Sequence, residues 1–187
     1  DRFRDRVIFP IVNLSGRTVG FGARALRPDD EPKYLNSPET PIYHKSSVLY
    51  GLNWTRDAVR QDNCAIVVEG YMDLLSIVQA GVAPVVATSG TALTEQHCRI
   101  LARYAQRAVL LFDGDAAGSA AAGRGIEVLL APGLDSRVVA LPAGSDPDSY
   151  VREKGVEALR AAVEGADTAL DFFLDRLAQR SDLSTVA

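Results

Sequence analysis

With 187 residues, 47% of them apolar, and a mean hydropathy of +0.02, the chain can bury one sizeable core, which excludes a disordered polymer. No apolar stretch approaches the ~20 residues that span a bilayer and none has signal-peptide flanks, which points to the cytosol and to no membrane partner. The net charge of −4 argues weakly against nucleic acid, but the charge is uneven: residues 1–56 hold nine Arg/Lys against six Asp/Glu, and residues 57–187 hold eleven against eighteen. This asymmetry predicts two functional faces. The two cysteines, Cys64 and Cys98, lack metal-ligand spacing and read as reduced, buried thiols, so no zinc is expected.

In chain order, "RVIFPIVN" (6–13) and "TVGFGARAL" (18–26) are rich in β-branched and aromatic residues and predict a β-hairpin. A tract with four prolines follows, "RPDDEPKYLNSPETPIYHKSS", and reads as a functional loop. "WTRDAVRQ" predicts a short helix with Thr55 as a candidate cap. From Cys64 strands and helices alternate. "CAIVVEG", "APVVATSG", "AVLLFDGD" and "SRVVALP" read as strands. "YMDLLSIVQAG" reads as a helix closed by Gly81, and "LTEQHCRILARYA" as one signalled by Thr94 and Glu95. A further helix is expected from Ala116 to about Leu130. Three more helical stretches follow "DPDSY", with Phe172, Phe173 and Leu177 expected to pack on the body. Alternation of this kind implies right-handed βαβ units and a parallel sheet.

Three of these strands lead into acids: Glu69, then Asp113 and Asp115, then Asp146 and Asp148. In an open parallel sheet ligands bind beyond the carboxyl ends of strands, and neighbouring strands lie ~4.8 Å apart. Five carboxylates on one edge cannot all stay ionised without a counter-charge. A hard divalent cation resolves the conflict, because magnesium takes oxygen ligands and bridges carboxylates to phosphates. Each acid alone has a simpler reading: an Asp-Gly turn for Asp113, a helix cap for Asp148, and for Asp73 a solvated or helix-dipole partner. His97 reads as structural and His44 as a residue beside Lys45 with no assigned role.

"VVEGYMD", "LLFDGDAAG" and "DPDSY" resemble the three acidic motifs of the toprim domain, found in bacterial primases, topoisomerases and related nucleases. "RFRDRVIFPI", "GRTVGFGAR", "PKYLNSPET", "HKSSVLYGL" and "EGYMD", in that order, resemble the RNA polymerase core of the bacterial DnaG-type primases more closely still. The resemblance covers nearly the whole chain. It implies an α/β fold: a toprim-type, Rossmann-like parallel sheet with flanking helices (61–150). Part of a basic mixed α/β subdomain with a β-hairpin precedes it (1–60), and a helical segment follows it (151–187). The chain is expected to be a slice of a longer protein, without the family's zinc module, the first part of its core and its helicase-binding tail.

The resemblance further implies DNA-dependent synthesis of RNA primers in replication, a nucleotidyl transfer from NTPs on a single-stranded DNA template. Mg²⁺, or Mn²⁺, would be held by Glu69, Asp113, Asp115, Asp146 and Asp148, with Glu69, Asp113 and Asp115 the catalytic set. Arg24, Lys33 and Lys45 would face nucleotide or nucleic acid, with Tyr34, Asn36 and Tyr71 flanking them. Arg2, Arg4 and Arg6, alternating along a strand edge, are weaker candidates for template contact. The place of action would be the replication fork in the cytoplasm, with the replicative helicase as a partner through a region absent here. A toprim nuclease or topoisomerase-like enzyme, and a non-catalytic module that holds nucleotide or metal, are the alternatives.

Overall fold

β-Branched and aromatic residues produce the predicted hairpin, Arg6–Val12 (β1) against Thr18–Ala25 (β2), with Phe9 opposite Gly22 and Ile11 opposite Gly20. The computed structural model describes residues 2–114, 128 and 133–180. The hairpin turn is locked by the Asn13 carboxamide oxygen, which accepts the backbone N–H groups of Ser15 and Arg17 at 3.0 Å each. Of the three alternating arginines only Arg6 lies in the strand, where its guanidinium donates to the Pro32 carbonyl; Arg2 and Arg4 precede it. The proline-rich tract is not all loop. Tyr34–Asn36 (β3) pairs antiparallel with β2, a strand too short for any periodicity to reveal.

The first helix, Leu52–Asp62 (α1), starts two residues before the predicted stretch. Thr55 is not its cap. Gly51 holds that position with φ +89°, and the buried Thr55 hydroxyl donates back to the Gly51 carbonyl at 3.2 Å.

Cys64–Val68 (β4), Val85–Ala87 (β5), Arg107–Phe112 (β6) and Asp135–Ala140 (β7) form the parallel sheet. Its order is β5-β4-β6-β7, extended by an antiparallel edge strand, Asp167–Thr168 (β8), which makes the sheet mixed. Two residues between helices carry no strand pattern, so the sequence reading missed it. The helices are Tyr71–Gln79 (α2), Glu95–Leu101 (α3), Pro147–Lys154 (α4), Val156–Glu164 (α5) and Ala169–Arg180 (α6). The helix expected from Ala116 lies outside the described residues apart from Val128, which is helical.

Alternation along the strands divides the core. Ile66, Val68, Val109 and Leu111 face α2, α4 and α5, where Leu74, Ile77, Val151 and Leu159 are buried. Ala65, Val67, Ala108 and Leu110 face α1 and α3, against Val59, Cys98 and Leu101. Each fully buried Leu or Ile contributes ~1.5–3 kcal/mol, so both faces are required for stability. Phe172 packs on Val138 at the α6 side and Phe173 is half-buried, while the Leu177 side chain lies outside the described residues. Both thiols are free; Cys98 is buried, but Cys64 is only half-buried.

Tyr71 joins the two sheets. It opens α2, is 2% exposed, stacks on Phe9 at 4.7 Å and meets Tyr50 edge-on at 4.7 Å. A Cβ on Gly22 would sit 2.3 Å from its phenol oxygen. Held on two sides, the ring has nowhere to retreat. Gly22→Ala is therefore expected to lower unfolding stability by about 1–3 kcal/mol. Tyr71→Phe, which keeps the packing and loses one hydrogen bond, should cost about 1 kcal/mol. Urea denaturation of both variants checks this, and an unchanged midpoint for Gly22→Ala would show that the ring gives way.

Candidate active site

From β4 the chain passes through α2 to β5 on one side, then through α3 to β6 on the other. The direction of winding reverses between β4 and β6, and such a reversal opens a crevice at the carboxyl ends of the two strands. Glu69 follows β4 and Asp113 follows β6, so both stand at that crevice. The turn after β7 carries Gly144 at φ +78° and then Asp146. The β6 and β7 turns approach closely: the Gly114 N–H donates to the Ser145 carbonyl at 3.0 Å, and a Cβ on Gly114 would lie 2.2 Å from the Pro142 oxygen. Only glycine allows the β7 acids so near Asp113.

Asp146, not Asp148, caps α4. Its carboxylate accepts the Ser149 N–H at 2.7 Å, and Pro147 fills the first helical position. Asp148 lies one turn-position further in and is claimed at both oxygens. Oδ1 accepts the Ser76 hydroxyl of α2, and Oδ2 accepts the Arg152 guanidinium.

The acids have opposite electrostatic characters. Partial desolvation, then the Asp113 charge, push the Glu69 carboxyl above its ordinary value although its outer side is open to solvent. Asp73 is the larger case. Burial first, then the charges of Asp113 and Asp146, push it up to about 6, while the Gly70 and Asp148 backbone N–H groups hold it back. Asp73 is thus no solvated surface acid. It accepts the Gly70 N–H at 3.1 Å and lies within the acidic group. Its place three residues into a helix that starts at glycine was the available signal. Asp146 behaves in the reverse way. Desolvation would raise it, but the hydrogen bonds from Ser149 and the charges of Arg152 and Lys33 hold it below the usual range.

Asp115 lies outside the described residues. Among the described residues no three His, Cys, Asp or Glu side chains converge closely enough to hold one ion. The donor chemistry nonetheless fits a hard divalent cation: oxygen ligands only, and two carboxyls whose proton affinity is raised by burial and then by the Asp113 charge.

Basic and aromatic side chains from the first sheet reach the same crevice. Burial pushes the Tyr34 hydroxyl up, Arg24 holds it back, and the charges of Asp73, Asp148 and Asp146 act on it in the same direction as burial. The Arg24 guanidinium lies 5.8 Å from the Tyr34 ring centre. Asn36 spans the two sheets: its Nδ2 donates to the Ser89 carbonyl at 2.9 Å and its Oδ1 accepts the Tyr71 hydroxyl at 2.9 Å. Tyr71 therefore offers no surface to a ligand and acts by positioning Asn36. Lys45 sits in a 3₁₀ turn, where its N–H donates to Glu39 at 2.9 Å and its carbonyl meets the ring of His97 at 2.9 Å. His97 is fully buried; its Nδ1 accepts the Thr94 N–H, which assigns the proton to Nε2 and the role to structure. His44 pairs with Glu39 at 3.0 Å. Ser76 and Arg152 escaped the sequence reading, although the spacing of Asp148 and Arg152 by four residues is a recognisable helical ion pair.

An acidic crevice at the switch point of a doubly wound sheet, preceded by a strand sheet that carries basic residues, defines a toprim-type scaffold. Residues 66–151 match the Toprim-like family, and residues 1–56 match the DNA primase catalytic core, N-terminal domain. The chain belongs to the bacterial DnaG-type primases. It is 45% identical over 185 residues to the DNA primase of Clostridium acetobutylicum, covering 98% of this chain and 30% of that protein. Among solved structures, a DNA primase domain from Pseudomonas aeruginosa superposes with a TM-score of 0.89 at 46% identity, covering 99% of this chain and 59% of that one. A DnaG primase catalytic domain bound to ssDNA gives a TM-score of 0.88 at 43% identity, covering 100% and 61%. The chain thus spans less than a third of the length of that curated relative and about three fifths of the solved cores.

The electrostatics predict a pH signature. The folded chain holds the Asp73 proton more tightly than the unfolded chain, whose value is the ordinary 3.8. The resulting stability is complete below that value and is lost as pH rises through about 6. In metal-free protein, carboxyl ¹³C NMR should place the Asp73 midpoint near 6, and Asp113→Asn should lower it by removing the nearer charge. A midpoint that ignores Asp113→Asn would place Asp73 outside the acidic group.

Proposed function

We propose that this chain is the metal-binding part of a replication primase core, working with Mg²⁺ or Mn²⁺ to join NTPs into short RNA primers on single-stranded DNA. The observation that carries the reading is the acidic β4/β6 switch point with cationic side chains of the N-terminal part near its border: the Lys33 charge acts on Asp146, and Arg24 lies against the Tyr34 ring. Phosphate needs cations on one side and a metal-loaded carboxylate edge on the other, and the two sheets supply one each. The presence of ssDNA in a solved relative is consistent with a template beside the same crevice. In this reading residues 1–60 supply the basic roof, residues 61–150 the toprim sheet, and residues 151–187 a helical brace. The replicative helicase would engage the longer protein elsewhere.

Glu69, Asp113 and Asp115 are the residues proposed to hold the metal, with Asp146 and Asp148 at its border. The chemistry supplied by bound Mg²⁺ or Mn²⁺ is charge neutralisation of the triphosphate and of the departing pyrophosphate, with activation of the primer 3′-hydroxyl. A general-base role for Glu69 toward that hydroxyl is the alternative to direct ligation. Arg24, Lys33 and Lys45 would bind phosphate oxygens, and Tyr34 and Asn36 would orient the nucleotide.

Template-directed extension of a primer by the longer enzyme tests the assignment. Glu69→Gln and Asp113→Asn are expected to lower kcat by roughly 100-fold or more with little change in KM, as for groups that act on transition-state charge. Lys33→Ala should instead raise the KM for NTP by about tenfold, the value of one charge-assisted contact. Cleavage of DNA without NTP incorporation would replace the primase reading with a nuclease.

The chain itself, residues 1–187, carries one small basic tract on a net negative body. Its affinity for single-stranded DNA is expected to be weak and to fall steeply between low and physiological salt. Fluorescence anisotropy across a salt series checks this, and salt-insensitive binding would overturn the phosphate-contact assignment.

A further inference from the structure

Asp148 has a resident cation. Ser76, held by the packing of α2 against α4, donates to Oδ1, and the Arg152 guanidinium occupies Oδ2. The Asp148 side chain is 16% exposed, whereas that of Arg152 is 68% exposed. The buried partner is thus fixed and the exposed one is able to leave at small cost in packing. With one lone pair of Oδ1 taken by a hydroxyl on α2, Oδ2, the atom that Arg152 holds, is the oxygen at which a divalent cation and the guanidinium compete directly. The Arg152 charge also reaches Asp146.

We propose that Arg152 is a positioning residue that competes with a divalent cation for Oδ2 of Asp148, keeping this carboxylate out of the metal site until the cation displaces it. The proposal rests on the metal reading above and assigns that site an internal counter-ion. Competition at one atom is reciprocal: the cation weakens the arginine pair by the same factor as the arginine weakens the cation. The helix supplies the geometry, since residues four apart share one face. The Ser76 hydrogen bond favours the carboxylate orientation in which Oδ2 is turned to Arg152.

The test is a Mn²⁺ titration of the chain, followed by the electron paramagnetic resonance signal of unbound Mn²⁺, with no nucleotide present. Arg152→Gln is expected to tighten Mn²⁺ binding by about five- to tenfold, the coupling typical of two ligands sharing a site. Arg152→Lys should stay close to wild type. Lys154→Gln, which removes a charge from the same helix without touching Asp148, should change affinity much less. In an Asp148→Asn background the Arg152→Gln effect should vanish. Arg152→Gln leaves a largely buried carboxylate without its cation, so a modest fall in metal-free thermal stability is expected, and tighter Mn²⁺ binding in a less stable variant separates loss of competition from loss of fold. Equal Mn²⁺ affinity in wild type and Arg152→Gln would overturn the proposal and leave the metal reading standing. So would an effect matched by Lys154→Gln or persisting with Asp148→Asn, since either marks a general field. Absence of Mn²⁺ binding in the wild type would overturn the metal reading itself, and the competition with it.

Discussion

The structure depends on one buried ring. Tyr71 opens the helix that follows Glu69, yet its side chain lies beneath the first sheet, stacked on Phe9 and closed off by the bare backbone of Gly22. Its hydroxyl then fixes Asn36, and Asn36 fixes the turn after β5 through the Ser89 carbonyl. The acidic motif and the basic roof are thereby parts of one rigid unit. Two surfaces of opposite charge would attract one another in any arrangement; the ring and the Asn36 bridge fix one arrangement, in which the charges of Asp73, Asp148 and Asp146 act on Tyr34.

The acids in that gap are not equivalent. Glu69 and Asp73 hold their protons more tightly than usual, because they are desolvated and crowded by Asp113. Asp146 and Asp148 are compensated from within, by Ser149, Ser76 and Arg152. A crevice built in this way is crowded along β4 and β6 and paired along α4. The crowded side is where added positive charge gains most, because a cation there relieves repulsion as well as forming ligand bonds. The paired side exchanges one partner for another.

Most of the parallel sheet and the three acidic strand ends were legible in the sequence. Continuous runs such as "CAIVV" and "AVLLF" can only be buried on both faces, and the acids that follow them break the run at a defined point. The hairpin was legible for the same kind of reason. β3 and β8 were not, because strands of three and two residues borrow their geometry from a neighbour and carry no pattern of their own. Thr55 was misread as a cap because a glycine in the left-handed region leaves no side-chain signal for helix entry.

By itself the sequence determined which acidic and basic residues stand at strand ends and in the proline-rich tract, and in what order they occur, since hydrophobic periodicity and strand ends are local properties. Which of those residues face one another was decided only by the tertiary structure. The buried state of Tyr71, the inclusion of Asp73 among the acids and the capture of Asp148 by Ser76 all depend on contacts across tens of residues. Desolvation and charge pairing are properties of that assembled environment, and the same Asp in a strand-end motif becomes a crowded acid or a paired one according to what the fold sets beside it.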